Sequence, residues 1–491
     1  MTDLIITNAR VVRPELDRVD EVDVAITGGR ISELAPGLAA SADGAEVVDA
    51  RGRFAFPGSV DAHTHMGIYA PLAEDAVTES QAAAVGGTTT VLNYMRTGQY
   101  YLHRGGDYAE FFPEVLRQIE GRSHVDYAFH LAPMQSSHIA EIPSLIAEHG
   151  VTSFKIFMFY GSHGLHGRSD DQASFLMTPP GESYDLAHFE FVMRGAAAAR
   201  AQFPDHADTI SVSLHCETAE IMAAYTRMVE EEGTLTGLHA YHAARPPHSE
   251  GLAVTIASYL AHETELPTIN LLHLSSAKAM DAAMRMAGAF PHVDFRREVT
   301  IGHLLADVDT ANGVYGKVNP PIRPRADVEA LWAHLLDGHV DWVVSDHACC
   351  RQESKVAAEH PDDVFLAKSG FGGTEYLLSG LFSEGTRRGL TPPAIARLLS
   401  TNPSRRYGLT GKGSLEVGSD ADVVLLDPDV TYVVRAEDSP SAQGYTPFEG
   451  HELTGRVTDV WLRGQRILDQ GNVTGAPSGA YQVRGPRRPP R

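Results

Sequence analysis

The sequence contains few cysteines and no long apolar run, and each shortage excludes a class of protein. Its three cysteines, Cys216, Cys349 and Cys350, are odd in number and two are adjacent, which argues against a disulfide framework and favours a reducing compartment such as the cytoplasm. No stretch of about 18 or more apolar residues occurs, and the N-terminal MTDLIITNARVV lacks a basic region followed by such a run. We therefore expect a protein that is neither exported nor membrane-spanning.

Basic residues are also scarce relative to acidic ones. The chain has 40 Lys and Arg against 63 Asp and Glu, a formal charge of −23 at pH 7. Because the phosphate backbone of a nucleic acid repels such a surface, we expect no nucleic-acid partner. The length of 491 residues exceeds that of one ordinary domain, but a barrel with an attached smaller domain accounts for it.

The two ends of the chain share one pattern. Short β-like runs alternate with turn residues in DLIITNARVV and AEVVDARGR near the start, and again in GSLEVGSDADVVLLDPDVTYVV near the end. We expect residues 1–55 and 412–480 to form one small β domain, a β-sandwich. The final stretch GPRRPPR is Pro-rich and basic and has no pattern for a packed core, so residues 481–491 are predicted to form a flexible tail.

Residues 56–411 repeat a different pattern, in which a short β-rich run precedes a longer segment of helical character. The runs are FAFPGSVDAHTH, TTTVLNYM, VDYAFHLA, TSFKIFMFY, TISVSLHCE, PTINLLHLS, HVDFRREVT and VDWVVSDHA. Eight such units predict an α/β fold, a (β/α)8 barrel of the TIM type. The alternative, an open doubly wound sheet, requires a Gly-rich phosphate loop after its first strand, and the sequence has none there.

Several of these runs end on residue types that bind metals. His63 and His65 end the first run, at a spacing that places both side chains on one face of a strand. His215, His273 and Asp346 end the fifth, sixth and eighth runs. Taken singly, a buried strand-end histidine is often hydrogen-bonded in a core, and Asp346 could cap a helix. In a barrel all five lie at one rim, so together they predict a metal site.

Lys155 lies in the fourth run, where apolar neighbours make a lone ammonium group unfavourable. Its side chain could reach the surface, but burial would lower its pKa and yield a neutral amine that adds CO2. The resulting carbamate is an anionic ligand with two oxygens. Four histidines, one aspartate and this lysine exceed the usual shell of about four ligands around one zinc ion, so we predict two divalent ions.

Longer stretches around these residues resemble a cyclic amidohydrolase of the hydantoinase and dihydropyrimidinase group, within the amidohydrolase superfamily. The resemblance covers nearly the whole chain, in VDAHTHMG, AAAVGGTTTVL, SFKIFMFY, LHCETAEI, ARPPHSE, LLHLSSAKAM, KVNPPIRPRADVEALW, VVSDHA and GSLEVGSDADVVLLD. It implies that six residues hold the metal ions: His63, His65 and Asp346 the more buried ion, His215 and His273 the second, and Lys155, as N6-carboxylysine, both. It also implies that Tyr160 hydrogen-bonds the oxyanion and that Asn319 contacts the substrate amide through its backbone.

The reaction that the resemblance implies is hydrolysis of the amide bond of a cyclic ureide or imide, such as a hydantoin or a dihydropyrimidine, by a hydroxide that bridges the two ions. Asp346 would take up a proton as general base and pass it to the leaving nitrogen as general acid. Zinc is the expected metal, with manganese or cobalt as alternatives. Because relatives commonly form tetramers, a homo-oligomer, either a dimer or a tetramer, is expected.

The positions that would contact the substrate depart from each subgroup, and this leaves the identity of the ring open. Met66 and Gly67 stand where dihydroorotases carry an arginine, and the Asn-Glu-Pro-Gly run usual in allantoinases is also missing there. Hydantoinases commonly have an acidic residue at that place and Pro-Asn-Gly where this chain has Ser369 and Gly370. An allantoinase- or dihydroorotase-like enzyme is therefore the alternative. A non-catalytic scaffold is disfavoured because all six ligand positions are kept.

Two further features stay open from the sequence alone. A long loop, 161–185, follows Tyr160 at the predicted catalytic rim, where loops shape specificity, and its His163 and His166 could contact substrate or simply be solvated. Asp61, two residues before His63, could fix a turn, orient a ligand or touch the metal.

Overall fold

The computed structural model describes residues 2–41, 44–98, 100–160, 181–356 and 358–484. The strands in these ranges are β1 (Leu4–Arg13), β2 (Arg18–Thr27), β3 (Arg30–Ala35), β4 (Glu46–Asp49), β5 (Phe54–Pro57), β6 (Ser59–Thr64), β7 (Thr88–Met95), β8 (Asp126–Leu131), β9 (Ser153–Phe157), β10 (Ser211–His215), β11 (Thr268–Leu271), β12 (Asp294–Thr300), β13 (Trp342–Val344), β14 (Val423–Val433), β15 (Glu452–Leu462), β16 (Gln465–Asp469) and β17 (Asn472–Val473). They form two sheets.

Helices connect and cover the strands. The α-helices are α1 (Leu72–Val85), α2 (Tyr108–Ile119), α3 (Ser136–His149), α4 (Leu186–Gln202), α5 (Ala219–Glu232), α6 (Gly237–Ala244), α7 (Pro247–Glu263), α8 (Ala277–Ala289), α9 (Ile301–Leu305), α10 (Arg325–Leu336), α11 (Gln352–Lys355), α12 (Leu377–Arg387), α13 (Pro392–Ala396) and α14 (Asn402–Tyr407). Short 3-10 turns lie at Pro14–Leu16, Leu38–Ser41, Pro204–Thr209, Gly313–Gly316, Thr374–Tyr376 and Ala436–Asp438, and a π-helical turn at Arg397–Thr401. Within the described ranges, none of the helices has the length and apolar character needed to cross a lipid bilayer.

Strands β6 to β13 pair in chain order as one parallel eight-stranded sheet. Every residue of β7 and of β8 is buried, as expected for barrel strands that face a filled interior on one side and helices on the other. The first and last strands meet where Thr64 bridges His347 and the His65 amide donates to the His347 carbonyl at 2.7 Å. The predicted (β/α)8 barrel is therefore confirmed.

Asp61 fastens this closure. Its Oδ1 accepts a hydrogen bond from the amide of Ser345 at 3.0 Å and its Oδ2 one from the Ser345 hydroxyl at 2.5 Å. Ser345 directly precedes Asp346 in the sequence. Of the roles open to Asp61 from the sequence, the structure favours the supporting one, because the carboxylate fixes the last strand beside the first.

The two ends of the chain form the second sheet, which has nine strands in the order β17-β16-β15-β14-β5-β1-β2-β3, with β4 paired to β1. It has an apolar core of its own, which includes Leu4, Ile6, Val11, Val24, Ile26, Val423, Leu425 and Trp461. The predicted β domain built from both chain ends is thus present as one mixed sheet.

The run FAFPGSVDAHTH contains two strands, one in each sheet. Strand β5 pairs with β1 and β14 in the sheet of the chain ends, whereas β6 opens the barrel. Gly58 separates them, and a Cβ at this position would lie 2.1 Å from Thr89 Oγ1. Glycine is required here because the chain passes too close to β7 for any side chain.

The first residues of the predicted tail pack against the barrel. The Tyr481 hydroxyl donates to the carbonyl of His149 at 2.6 Å. Arg484 is only 3% exposed, and its guanidinium donates to Ser153 Oγ at 2.8 Å and to the carbonyl of Phe129. Residues 481–484 therefore belong to the folded part of the chain, while the Pro-rich stretch 485–491 lies outside the described residues.

A buried lysine joins the two sheets. Lys412 Nζ lies 2.7 Å from Asp126 Oδ2, at the start of β8, and 2.8 Å from Asp422 Oδ2, next to β14. Asp420 lies 3.2 Å away, and the Lys412 side chain is 1% exposed. The positive charge is needed here because these carboxylates have little access to water.

We expect Lys412→Met to lower the free energy of unfolding by about 3–5 kcal/mol, because it leaves Asp422 buried without its cation and leaves Asp126 with Arg463 alone. Urea unfolding followed by circular dichroism measures the effect. Lys278→Met, which removes an exposed lysine from α8, is the matched control and should change stability little. Equal stability of the two variants would contradict this role for Lys412.

Candidate functional site

The six residues predicted to bind metal lie together at the carboxyl ends of the barrel strands: His63 on β6, His65 just after it, Lys155 on β9, His215 at the end of β10, His273 after β11 and Asp346 after β13. The ring centroids are 5.1 Å apart for His63 and His65, and 5.3 Å apart for His63 and His273. Those of His215 and His273 are 4.3 Å apart. The structure thus brings all six into one site.

The carboxylate of Asp346 faces two of the imidazoles. Its Oδ1 lies 3.2 Å from His63 Nε2 and 3.3 Å from His65 Nε2. Burial acts to raise the pKa of Asp346, but His63, His65 and Lys155 together lower it to about 2, so the carboxylate is ionised at neutral pH. Burial lowers the pKa of His63 far below its usual value, so that this ring is neutral.

Glu298, on β12, holds His63 from behind. Glu298 Oε1 lies 2.7 Å from His63 Nδ1, and the Trp342 indole donates to Oε2 at 2.8 Å. With Glu298 accepting, the hydrogen of His63 is on Nδ1, and the lone pair on Nε2 points to the Asp346 side. Burial raises the pKa of Glu298 to about 8, so this carboxylate depends on nearby positive charge to remain ionised.

Glu217 holds His215 in the same way. Its Oε2 lies 2.6 Å from His215 Nε2, which leaves Nδ1 of that ring available as a ligand. Arg245 donates to both oxygens of Glu217, through Nε to Oε1 at 2.9 Å and through Nη2 to Oε2. Burial opposes ionisation of Glu217, yet Arg245 and His215 hold its pKa well below the usual range, while burial lowers the pKa of His215 to about 4.

Sequence reasoning missed both carboxylates. Glu298 lies inside the seventh β-rich run, HVDFRREVT, where an acidic residue two positions before the end of the strand was the available signal. Glu217 lies two residues after His215, in SLHCE. A carboxylate that orients a histidine ligand is common beside metal sites, so a search for one near each candidate histidine would have found Glu217.

Lys155 lies among these groups and is 1% exposed. Within the described residues its Nζ has no acceptor in hydrogen-bond geometry, and it lies 4.2 Å from the ring centroid of Tyr94 and 4.8 Å from that of Phe157. Burial lowers the pKa of Lys155 from 10.5 to about 7. A substantial fraction of the side chain is therefore a neutral amine at neutral pH.

This donor set fits divalent cations. One ligand atom each of His63, His273 and Asp346 lies within 4.8 Å of the others. The buried atoms His63 Nε2 and His273 Nδ1 have no hydrogen-bond partner within the described part of the chain. Imidazole nitrogens and carboxylate oxygens are ligands that zinc prefers, and buried polar atoms without partners are expected where an ion supplies the missing contacts.

Two of these residues have a strained backbone. His273 has a φ of 34° and Asp346 a φ of 55°, in the left-handed region that residues other than glycine rarely adopt. Each lies two residues after the end of its strand, β11 for His273 and β13 for Asp346. Strain of this kind persists where surrounding contacts hold it, and it clusters at functional sites.

A cavity of about 480 Å³ opens over these residues. Tyr160 lines it, and the Tyr160 hydroxyl accepts a hydrogen bond from Arg96 Nε at 3.2 Å. Burial raises the pKa of Tyr160 despite the charge of Arg96, so the hydroxyl keeps its proton. Most of the other lining side chains are aromatic or aliphatic: Ile68, Tyr69, Tyr101, Phe157, Phe159, Val318 and Ala348.

One side of the cavity is formed by Val318, Asn319, Ser369 and Gly370, which we call the Asn–Ser wall. Asn319 lines the cavity, and its contact with a substrate amide stays a prediction. The hydroxyl of Tyr69, which also lines the cavity, donates to the Ser369 carbonyl at 2.5 Å. Of the predicted loop 161–185, residues 161–180, with His163 and His166, lie outside the described residues.

The chain is similar to known proteins over nearly its whole length. A sequence model of the amidohydrolase family matches residues 197–467, and the allantoinase of Rubrobacter xylanophilus is 33% identical over 98% of this chain and 97% of its own. The chain belongs to the amidohydrolase family. This amidohydrolase is also 28% identical to the D-hydantoinase of Rhizobium radiobacter, over 97% of each chain. The solved dihydropyrimidinase from Brevibacillus agri superposes on it with a TM-score of 0.83, at 25% identity and 100% coverage of both chains. The resemblance inferred from the sequence is confirmed.

We expect Glu298→Gln to weaken metal binding by the amidohydrolase about 10- to 100-fold, because the amide cannot accept from every donor that now surrounds the carboxylate. Competition with a chelator, followed by metal analysis of the protein, measures the affinity. Glu384→Gln on α12 is the control, since Glu384 does not line the cavity and pairs only with Arg387 and Arg388 among the contacts described for it. Undiminished metal affinity in Glu298→Gln would show that the orientation of His63 does not depend on this residue.

Proposed function

We propose that this amidohydrolase hydrolyses the amide bond of a cyclic ureide or imide, with hydantoins or dihydropyrimidines as the ring type. The observation that carries the proposal is the convergence of four imidazoles, one carboxylate and one buried amine beneath an aromatic cavity. Relatives named allantoinase and D-hydantoinase match the chain from end to end, which supports the same class of reaction. The non-catalytic alternative would not require these donors to be kept together.

We propose that the site holds two divalent ions, with zinc as the expected metal. His63, His65 and Asp346 would hold one ion, and His215 and His273 the other. Lys155, as N6-carboxylysine, would reach both. Lys155 Nζ is buried and has no hydrogen-bond partner among the described residues, and its pKa is lowered to about 7. Both support carboxylation, because a neutral amine is the form that adds CO2.

Ions bound in this site would supply Lewis acidity, which polarises a carbonyl group and lowers the pKa of a water molecule to near neutrality. Asp346, ionised beside His63 and His65, would accept a proton from the attacking water molecule and deliver it to the leaving ring nitrogen. The protonated hydroxyl of Tyr160 would donate to the developing oxyanion, an interaction worth about 3 kcal/mol in comparable sites. The backbone of Asn319 would hold the amide edge of the ring.

The walls of the cavity favour particular rings. Ile68, Tyr69, Tyr101 and Phe157 offer apolar and aromatic surface, which suits a hydantoin with an apolar substituent better than a polar ureido group. Lys155 is the one lysine or arginine among the described residues that line the cavity. These residues therefore offer no cation to the carboxylate of dihydroorotate beyond the metal side, which disfavours that substrate. The identity of 33% to an allantoinase keeps allantoin as the second candidate.

We propose a homo-oligomer, a dimer or tetramer, in a reducing compartment such as the cytoplasm. The helices α4 and α7 pack against each other. Both expose large apolar side chains, namely Leu186, Phe191, Leu252 and Tyr259. A second copy of the chain would remove this surface from water. All three cysteines are buried and free, which supports a reducing environment.

A panel of rings tests the choice of substrate. We expect hydantoins with an apolar 5-substituent to be hydrolysed with a kcat/KM at least about tenfold higher than that of allantoin, because one apolar contact is worth about 10- to 200-fold. We expect dihydroorotate not to be hydrolysed, because the described cavity lining offers no cation for its carboxylate beyond the metal side. Dihydrouracil and simple imides complete the panel, and ring opening is followed by ultraviolet absorbance. Preference for allantoin would support the second candidate, and hydrolysis of none of the rings would refute the proposed function.

Lys155→Ala tests the bridging ligand. We expect the wild-type protein to hold about two divalent ions per chain and the variant to hold fewer, with kcat/KM below about 1% of wild type, because the ligand shared by both ions is gone. Labelling with 13C-bicarbonate should give a carbamate carbon signal in the wild type and none in the variant. Lys278→Ala, on the surface of α8, is the control. Full turnover by Lys155→Ala would rule out the bridge.

A further inference from the structure

A single buried hydroxyl group links the Asn–Ser wall to the candidate metal ligands. Tyr241, on α6, is 2% exposed and lies behind the cavity. Its hydroxyl lies 2.5 Å from Asn319 Oδ1 and 3.4 Å from Ser369 Oγ, the two polar side chains of the wall. Arg245 Nη1 reaches the same hydroxyl at 3.2 Å. One phenol oxygen therefore contacts both halves of the wall and a buried cation.

The hydrogen bonds at this hydroxyl are mutually consistent. A phenol has one hydrogen to donate and two lone pairs to accept with, and a guanidinium only donates. Arg245 thus donates to Tyr241, and the hydrogen of Tyr241 goes to Asn319 Oδ1, which only accepts. The hydroxyl of Ser369 is then the donor of the remaining contact. Every bonding position of the Tyr241 oxygen is used.

From Arg245 the contacts continue to a candidate metal ligand. Arg245 is 0% exposed and binds both oxygens of Glu217, and Glu217 Oε2 lies 2.6 Å from His215 Nε2. The path from the metal side to the wall therefore consists of His215, Glu217, Arg245 and Tyr241, all of them buried. Charged hydrogen bonds in such surroundings are stronger and more directional than those in water.

The two segments of the wall are also joined to each other. The amide of Gly370 donates to the Lys317 carbonyl at 3.0 Å. Lys355 Nζ, which is fully buried, donates to the carbonyls of Lys317 and Gly370 at 2.9 and 2.6 Å. Because the segments form one unit, a contact that fixes Asn319 and Ser369 fixes the whole wall.

We propose that Tyr241 is a positioning residue that holds the Asn–Ser wall at a set distance from His215. This inference rests on the proposed function: the distance between the wall and His215 determines how the amide edge of the bound ring approaches the metal side. Tyr241 does not line the cavity, so it acts through Asn319 and Ser369. Its removal should loosen ring binding without disturbing the ligands themselves.

Tyr241→Phe deletes the hydroxyl and keeps the ring. The control is Tyr108→Phe, which deletes another fully buried hydroxyl, one that donates to the Ala132 carbonyl at 2.7 Å and does not touch the wall. Both variants are prepared as the metal-loaded full chain. Hydrogen exchange of the segment 365–372, metal content, and KM and kcat on the best ring of the panel are measured for each.

We expect Tyr241→Phe to speed hydrogen exchange in 365–372 about tenfold, because about one net hydrogen bond is lost from the wall. KM should rise about fivefold, while kcat stays within about twofold of the wild-type value and the metal content is unchanged. Tyr108→Phe should leave these values as in the wild type. Unchanged exchange in Tyr241→Phe, equal effects in both variants, or a loss of bound metal would each overturn the proposal. If the wild type opens no ring, the proposed function fails, and the exchange measurement still decides the role of Tyr241.

Discussion

The rim of the barrel depends on one electrostatic constraint: several electron-pair donors are held close together where water has little access. The Asp346 carboxylate lies 3.2 Å and 3.3 Å from two imidazole nitrogens, and burial keeps His63 neutral. Imidazole nitrogens and a carboxylate oxygen at this separation form a donor set that suits a cation, and the charge of a bound ion would be little screened where water is excluded. The surrounding structure holds these donors in place.

The bracing comes from carboxylates that lie one layer behind the donors. Glu298 and Glu217 each fix one ring nitrogen of a histidine, and each is itself held, by the Trp342 indole in one case and by Arg245 in the other. A histidine fixed in this way presents a defined lone pair, so an ion meets ligands that need little reorganisation. The strained φ angles of His273 and Asp346 are maintained by the same rigid surroundings.

The sequence predicts the barrel and the grouping of the six residues, but not the bracing. Buried parallel strands are apolar on both faces, so each appears as a continuous run, and their carboxyl ends meet at one rim. The orientation of Glu298 depends on Trp342, which is 44 positions away in the chain, and no local pattern encodes that contact. The run at 54–65 likewise gives no sign of its division between two sheets, because the strands that pair with β5 and with β6 lie in other parts of the chain. The burial of Arg484 is equally absent from any local pattern, because the residues that it contacts belong to β8 and β9.

The two sides of the cavity are subject to different constraints. The six candidate ligands lie together at the rim. The sequence departs from the subgroups that it resembles at Met66, Gly67, Ser369 and Gly370, and the last two belong to the Asn–Ser wall. The Ser369 backbone is held by Tyr69 and its side chain contacts Tyr241, so the wall has its own framework. A substitution in that framework alters the shape offered to the ring while the metal ligands keep their contacts. Ring preference can therefore diverge within this fold while the hydrolytic centre stays the same, and among the described contacts the buried path through Arg245 connects the two sides.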